Sequence, residues 1–347
     1  MAGYEYKNTS NDALRIGYTL PNIANINNPT VIETSVTGLA RIVAQGFDRE
    51  VTSDTHSVYL QDQIALNEQF KVRAGLRNDH IHFEDKGLQA NVFRKIEETQ
   101  DLTTGSLGAV FQPTQSLAFY AGYTNGKFVN LATESTAIAT TPERSEQYEI
   151  GTKSSFFGDK VNLNLAYFDA KRENYNITLP GASAATPDGK DASKGVELDV
   201  SANPLAGWNI NANAVWMDAE TKSKNVASNA IFGVANRSIY GTRPTAVSEQ
   251  IFSLWNSYTI QTGVAQGFTF GLGATHKGDS YADNLNLYKV PAYTVYDAAI
   301  SYKKFNWEAT LNFKNITDKE YYVSPTFVGA LPGDPRSAYL TVRYDFK

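Results

Sequence analysis

The 347-residue chain has no cysteine, two methionines, twenty tyrosines and eighteen phenylalanines, with a formal net charge of −5. The missing cysteines exclude a disulfide framework and thiol chemistry, and the acidic balance argues against nucleic acid as a partner. No apolar run reaches the roughly 18 residues that a membrane-spanning helix needs, and the mean hydropathy of −0.35 resembles that of a soluble protein. That value does not count against a β-barrel, in which only alternate residues face lipid.

In chain order, Met1–Asn8 is expected as a short strand. Thr9 to Glu50 carries Pro21, Asn22, Asn25, Asn27, Asn28 and Pro29 and is expected to be loop. Strands are then expected over 51–66 and 69–83, with Val72, Ala74 and Leu76 on one face and Lys71, Arg73 and Arg77 on the other. The charged stretch 84–97 is expected to be loop, followed by strands at 98–112 and 115–127.

The clearest hairpin runs from Thr141 to Tyr175 and turns at Gly158-Asp159-Lys160. Val161, Leu163, Leu165 and Tyr167 share one face; Asn162, Asn164, Ala166 and Phe168 share the other. The run then becomes charged at 169–173, as if leaving an apolar slab for water. A tilted strand needs about 9–11 residues to cross a bilayer, and this hairpin is long enough.

A loop over 176–191 precedes strands at 193–203 and 208–221. Trp208 and Trp216 share a face, and at about 3.3 Å per residue and a tilt near 40° they stand about 20 Å apart in height, close to the spacing of two interfacial aromatic rows. Loop 222–245, strands 247–261 and 268–277, loop 278–291 and strands 293–303, 305–317 and 336–346 complete the chain.

This reading gives about fourteen strands, with brief turns near 67, 114, 159, 205, 264 and 304 alternating with long connections. The fold class is therefore all-β, a transmembrane antiparallel barrel with periplasmic turns, extracellular loops and both termini on the periplasmic side. A polar N-terminus without a signal peptide leads us to expect that an N-terminal portion precedes residues 1–347.

Asp79, His80 and His82 lie close together, but only the histidines share a face and no motif marks a nucleophile. Solvated residues, rather than acid–base catalysis or a metal site, are expected there.

Four ordered segments resemble the TonB-dependent siderophore receptor family. Pro142-Glu143-Arg144-Ser145-Glu146-Gln147-Tyr148-Glu149-Ile150-Gly151-Thr152-Lys153 resembles its P-E-x-S-x-x-Y-E-x-G-x-K strand. Tyr59-Leu60-Gln61-Asp62-Gln63, followed by Gly75-Leu76-Arg77-Asn78-Asp79, resembles its Y-x-Q-D-Q region. Asn315-Ile316-Thr317-Asp318-Lys319-Glu320-Tyr321 resembles its N-x-T-D-K-x-Y segment, and Gly333-Asp334-Pro335-Arg336 leads a last amphipathic strand.

The resemblance implies the C-terminal portion of a 22-stranded barrel, a single barrel domain over 1–347 whose plug, TonB-contacting segment and about eight strands are absent. It implies a non-enzymatic receptor in the outer membrane of a Gram-negative bacterium. That receptor would import ferric siderophores with no cofactor of its own, meeting TonB only through the absent plug and otherwise contacting outer-membrane lipid. A ferric chelate arrives with its iron fully ligated, so aromatic walls are expected to hold it. Tyr281, Tyr288, Tyr321, Tyr322 and Phe327 in the outer loops are the candidates, with interfacial or loop packing as their other reading. The alternative function is a passive pore closed from about fourteen strands.

Overall fold

The computed structural model describes residues 1–18, 41–89, 91–129, 141–178, 185–229, 233–326 and 329–346. Its strands are β1 (Ala2–Tyr18), β2 (Arg41–Ala65), β3 (Phe70–Gln89), β4 (Val92–Thr114), β5 (Leu117–Phe128), β6 (Glu143–Phe156), β7 (Val161–Thr178), β8 (Ala185–Ala202) and β9 (Trp208–Thr221). A small hairpin, β10 (Val226–Asn229) and β11 (Val234–Ser238), precedes β12 (Gln250–Thr259) and β13 (Phe268–Lys277). Next come the short pair β14 (Ser280–Tyr281) and β15 (Lys289–Val290), then β16 (Tyr293–Lys304) and β17 (Trp307–Lys314). The hairpin β18 (Tyr322–Thr326) and β19 (Gly329–Pro332) leads to β20 (Ser337–Tyr344).

Fourteen of these strands form one antiparallel sheet in chain order, from β1 through β9, then β12, β13, β16, β17 and β20; the three small hairpins stand apart. Among the described residues no ladder joins β1 to β20. Short turns link the strands at one end. At the β6–β7 turn, Phe157, Gly158 and Asp159 all take positive φ, of 56°, 66° and 63°. Glycine adopts that conformation without steric cost.

The ladder register sorts the side chains into two surfaces. Leu163 stands in one row with Ser154 and Val200, and Val200 with Ala212. On this outer surface large apolar side chains remain exposed, Leu60 at 61 % and Leu340 at 65 %. A water-soluble sheet would bury such a face; a bilayer covers it instead.

Two aromatic rows border the apolar band. Near the turns, Phe70 stacks on Phe111 at 4.5 Å, Phe268 meets Tyr302 at 4.4 Å and Trp307 meets Tyr344 at 4.7 Å. Towards the loop end, Tyr123 meets Tyr148 at 4.8 Å, and Tyr167 shares a row with Val196 and Trp216.

The inner surface is polar and paired. Arg77 donates to Asp79 at 2.8 Å, to Glu5 at 3.0 Å and to the buried Ser57 hydroxyl at 2.7 Å. Arg73 donates to Gln61 at 2.8 Å and Lys314 to Asp297 at 2.7 Å.

Three expected loops are corrected. β1 runs to Tyr18 and β2 begins at Arg41, so part of 9–50 is strand. The charged stretch 84–97 is mostly strand as well. Lys86 bridges Glu50 and Glu84, and Lys95 bridges Glu84 and Glu97, so alternating charges knit a sheet that extends past the apolar band. Its inner face packs Phe83, Leu102 and Val129 into a small core beside the wholly buried Arg49–Asp85 ion pair. Finally, β7 and β8 extend into 176–191.

Candidate functional site

A cavity of about 570 Å³ lies at the loop end of β6–β9, on the inner surface. Strand irregularity builds it. Beyond Glu173 the β7–β8 register shifts on both sides of Tyr175, and Asn174 takes φ 62°. Without the bulge Tyr175 would alternate outward with Glu173; with it, Tyr175 and Ile177 join the inner lining.

A polar chain runs along one wall. Arg172 donates to both carboxylate oxygens of Glu143, Nε to Oε1 at 2.5 Å and Nη2 to Oε2 at 2.8 Å. The same guanidinium lies 4.7 Å over the Tyr175 ring. The Tyr175 hydroxyl donates to Asp191 Oδ1 at 3.0 Å. The ring rests against Gly189, where a Cβ would run into it. The buried Ser223 hydroxyl ties the β8–β9 end by accepting from Lys190 N at 2.6 Å and donating to Asp188 O at 3.0 Å.

These groups lie beyond the Tyr167–Val196–Trp216 row, outside the apolar band. Burial, and then the neighbouring Asp191 charge, push the Tyr175 hydroxyl up from its ordinary range. Burial also raises Asp191, although Tyr175, Thr221 and Arg172 oppose the shift.

The other side of the cavity is apolar, with Met217, Ala219, Ile239, Pro244 and Val247. Its lip joins two loops through Arg243. Arg243 pairs with Glu249 at 2.8 Å and Asp279 at 3.1 Å and lies 5.2 Å over the Tyr281 ring. The Asn286 side chain accepts from Arg243 N and donates to Arg243 O, both at 2.8 Å. Asp283 Oδ1 accepts from Leu285 N at 2.9 Å, and Asp283 Oδ2 from Tyr288 N at 2.7 Å.

None of the four described aromatics expected to bind ligand lines this cavity. Tyr281 supports the Arg243 clamp; Tyr288 is 42 % exposed on the same lip. Tyr321 meets Tyr293 at 4.5 Å with the rings tilted, against Gly333, and Tyr322 opens β18. Phe327 lies outside the described residues. His80 and His82 sit on the outer surface, with His80 Nδ1 2.8 Å from Asp101, while Asp79 faces inward. Among the described residues no three metal-ligating side chains converge.

Sequence reading missed Arg172, Tyr175 and Asp191. In sequence Tyr175 and Ile177 keep the odd-numbered phase of Leu163, Leu165 and Tyr167, so alternation places them outward and only the bulge at Asn174 turns them in.

The family model for the TonB dependent receptor-like β-barrel matches residues 1–316. The chain belongs to that family. Members of it are receptors, and siderophore receptors are among its relatives. The probable TonB-dependent siderophore receptor PiuA of Acinetobacter baumannii is 29 % identical over 314 residues, covering 86 % of this chain and 42 % of the relative. The probable TonB-dependent receptor BfrD of Bordetella pertussis is 28 % identical over 319 residues, covering 85 % and 41 %. The chain thus spans about two fifths of the length of these relatives.

The crystal structure of PiuA superposes with a TM-score of 0.77 at 26 % identity, covering 88 % of this chain and 44 % of that one. The ferric-catecholate import receptor Fiu of Escherichia coli shares the fold, with a TM-score of 0.76 at 22 % identity, covering 99 % and 51 %. This transmembrane barrel class, with its fourteen strands, is the one the alternation predicted.

Proposed function

We propose that the protein takes part in the import of ferric siderophores across the outer membrane of a Gram-negative bacterium. Residues 1–347 supply wall strands and part of the ligand cavity. Energy would arrive from TonB through a segment outside this chain. The observation that carries the reading is the enclosed cavity at the loop end of a wall that is apolar outside and polar inside. A bulky chelate needs such a concavity, with a few fixed polar groups and an apolar side. The loop end faces the medium and the turn end the periplasm, as in other outer-membrane barrels.

The test is binding and uptake of iron-labelled siderophores by cells making the protein, with and without TonB. Uptake that depends on TonB supports the reading. Ion conductance with no siderophore binding identifies a passive pore and refutes it. Cells making only residues 1–347 should show no TonB-dependent uptake, because an unpaired strand edge in hydrocarbon costs several kcal/mol per polar group. TonB-dependent uptake by such cells would refute that assignment.

A further inference from the structure

The cavity also carries information about the charge of its ligand; the inference rests on the receptor reading above. The relatives' printed ligands do not settle the class, since they include ferrioxamine and a ferric catecholate. The charges on the wall do. Among the described residues the guanidinium on the inner lining is that of Arg172, and it is held by both oxygens of Glu143. Lys171 and Glu146 border the cavity too, but they stand opposite each other on the other face of the ladder.

At the lip, Arg243 is committed to Glu249 and Asp279. Among the described residues Asp191 makes no salt bridge within 4 Å; its partners are the Tyr175 hydroxyl, Thr221 and the charge of Arg172, which stands opposite it on the ladder. Among the described residues of the inner face, Arg172 therefore stands beside two carboxylates, Glu143 and Asp191, while Lys171 and Glu146 at the border add one charge of each sign. A carboxylate can accept about four hydrogen bonds, so Asp191 keeps capacity for a donor from a ligand.

We propose that the cavity favours a ferric chelate with an uncharged body and a protonated amine, as in a trihydroxamate with an ammonium arm. It disfavours a polyanionic tris-catecholate, and Asp191 is the residue that reads the cation. A polyanion would meet no uncommitted guanidinium on this wall and would face a carboxylate held in a partly buried site. An ammonium would supply the counter-charge that Asp191 lacks, while the trihydroxamate body packs on Met217, Ile239 and Val247. Burial, which already disfavours the Asp191 anion, makes a cationic ligand group more welcome there.

The test is equilibrium binding of three iron-labelled probes to outer membranes containing the protein. The probes are an amine-bearing ferric trihydroxamate, the same chelate with its amine acetylated, and a ferric tris-catecholate. The amine-bearing form should bind about fivefold tighter than the acetylated one, the scale of a partly exposed ion pair, and the tris-catecholate weakest. Asp191→Asn keeps an acceptor for Tyr175 and should erase the difference between the two trihydroxamates. If that variant does not assemble, raised salt applied to the unaltered protein should shrink the same difference.

Tighter binding of the tris-catecholate overturns the proposal and leaves the receptor reading intact. So does a trihydroxamate preference unchanged by Asp191→Asn or by salt. Binding of no chelate at all overturns both.

Discussion

Replacing Leu163 by arginine tests the assignment of the two surfaces most directly. Leu163 shares its ladder row with Val200, and Val200 with Ala212, which lies midway between Trp208 and Trp216 on β9. Four residues at about 3.3 Å along a strand tilted near 40° put this row about 10 Å from either aromatic row, close to the bilayer midplane. An arginine facing lipid at that depth costs about 2–4 kcal/mol, which lowers the ratio of assembled to unassembled protein by roughly 30- to 1,000-fold.

Asn164, its neighbour, faces inward, where its amide donates to Asp199 Oδ2 at 3.4 Å and accepts from the Tyr120 hydroxyl at 3.4 Å. Asn164→Arg would lose these weak contacts but stand beside the Asp199 carboxylate, so its net cost should be under about 1 kcal/mol. The assay is urea-dependent assembly of the full protein into lipid vesicles, read by heat-modifiable migration on gels. Equal losses for the two variants, or a larger loss for Asn164→Arg, would refute the assignment of faces.

Four further outcomes are expected. Single cysteines at Lys224 and Asn284 should react with an impermeant thiol reagent on intact cells and one at Asp159 should not; labelling at Asp159 would reverse the orientation. Gly189→Ala should displace the Tyr175 ring and weaken chelate binding several-fold while leaving assembly unchanged, read by titration of outer membranes. Arg243→Ala should cost about 2 kcal/mol locally, less than the 3–5 kcal/mol for breaking a fully buried pair. Faster hydrogen exchange at residues 281–288 would report it, with Arg243→Lys intermediate. Asp191 has its folded pKa raised, so its ionised form destabilises the fold at neutral pH and that penalty is relieved as pH falls through the raised value. The preference for an ammonium-bearing chelate, set by Asp191 between Tyr175 and Arg172, should therefore fade at a higher pH than an exposed aspartate would give.

Period-two alternation made the strand number, the brief turns and the two faces legible, because a strand with different solvents on its two sides must alternate. Leu163 against Asn164 and Trp208 against Asn209 show it residue by residue. The length of β3 and β4 was not legible. Glu84, Lys86, Lys95 and Glu97 look like loop in one dimension, and their stabilising contacts appear only once the strands are paired. The cavity was hidden for a related reason. Tyr175 faces inward only because of the bulge at Asn174, and Asp191 meets it across a ladder. The Arg243–Asn286 clamp joins residues 43 positions apart, and nothing local to either end announces it.

The reach of β2 to β4 changes how the protein meets its surroundings. β2 has 25 residues and β4 has 23. At about 3.3 Å per residue and a tilt near 40°, 25 residues rise about 60 Å, more than twice the apolar band of roughly 25 Å. The excess is pleated sheet stiffened by salt bridges and the Phe83 core, so it stands as a mast above the lipid headgroups. An antibody or a phage fibre approaching the cell would meet this mast outside the lipid. It would find a flat epitope of alternating lysine and glutamate whose shape is fixed in advance. Binders raised against peptides from residues 84–89 would have to recognise a strand already paired to both β2 and β4, and should therefore fail on the intact protein.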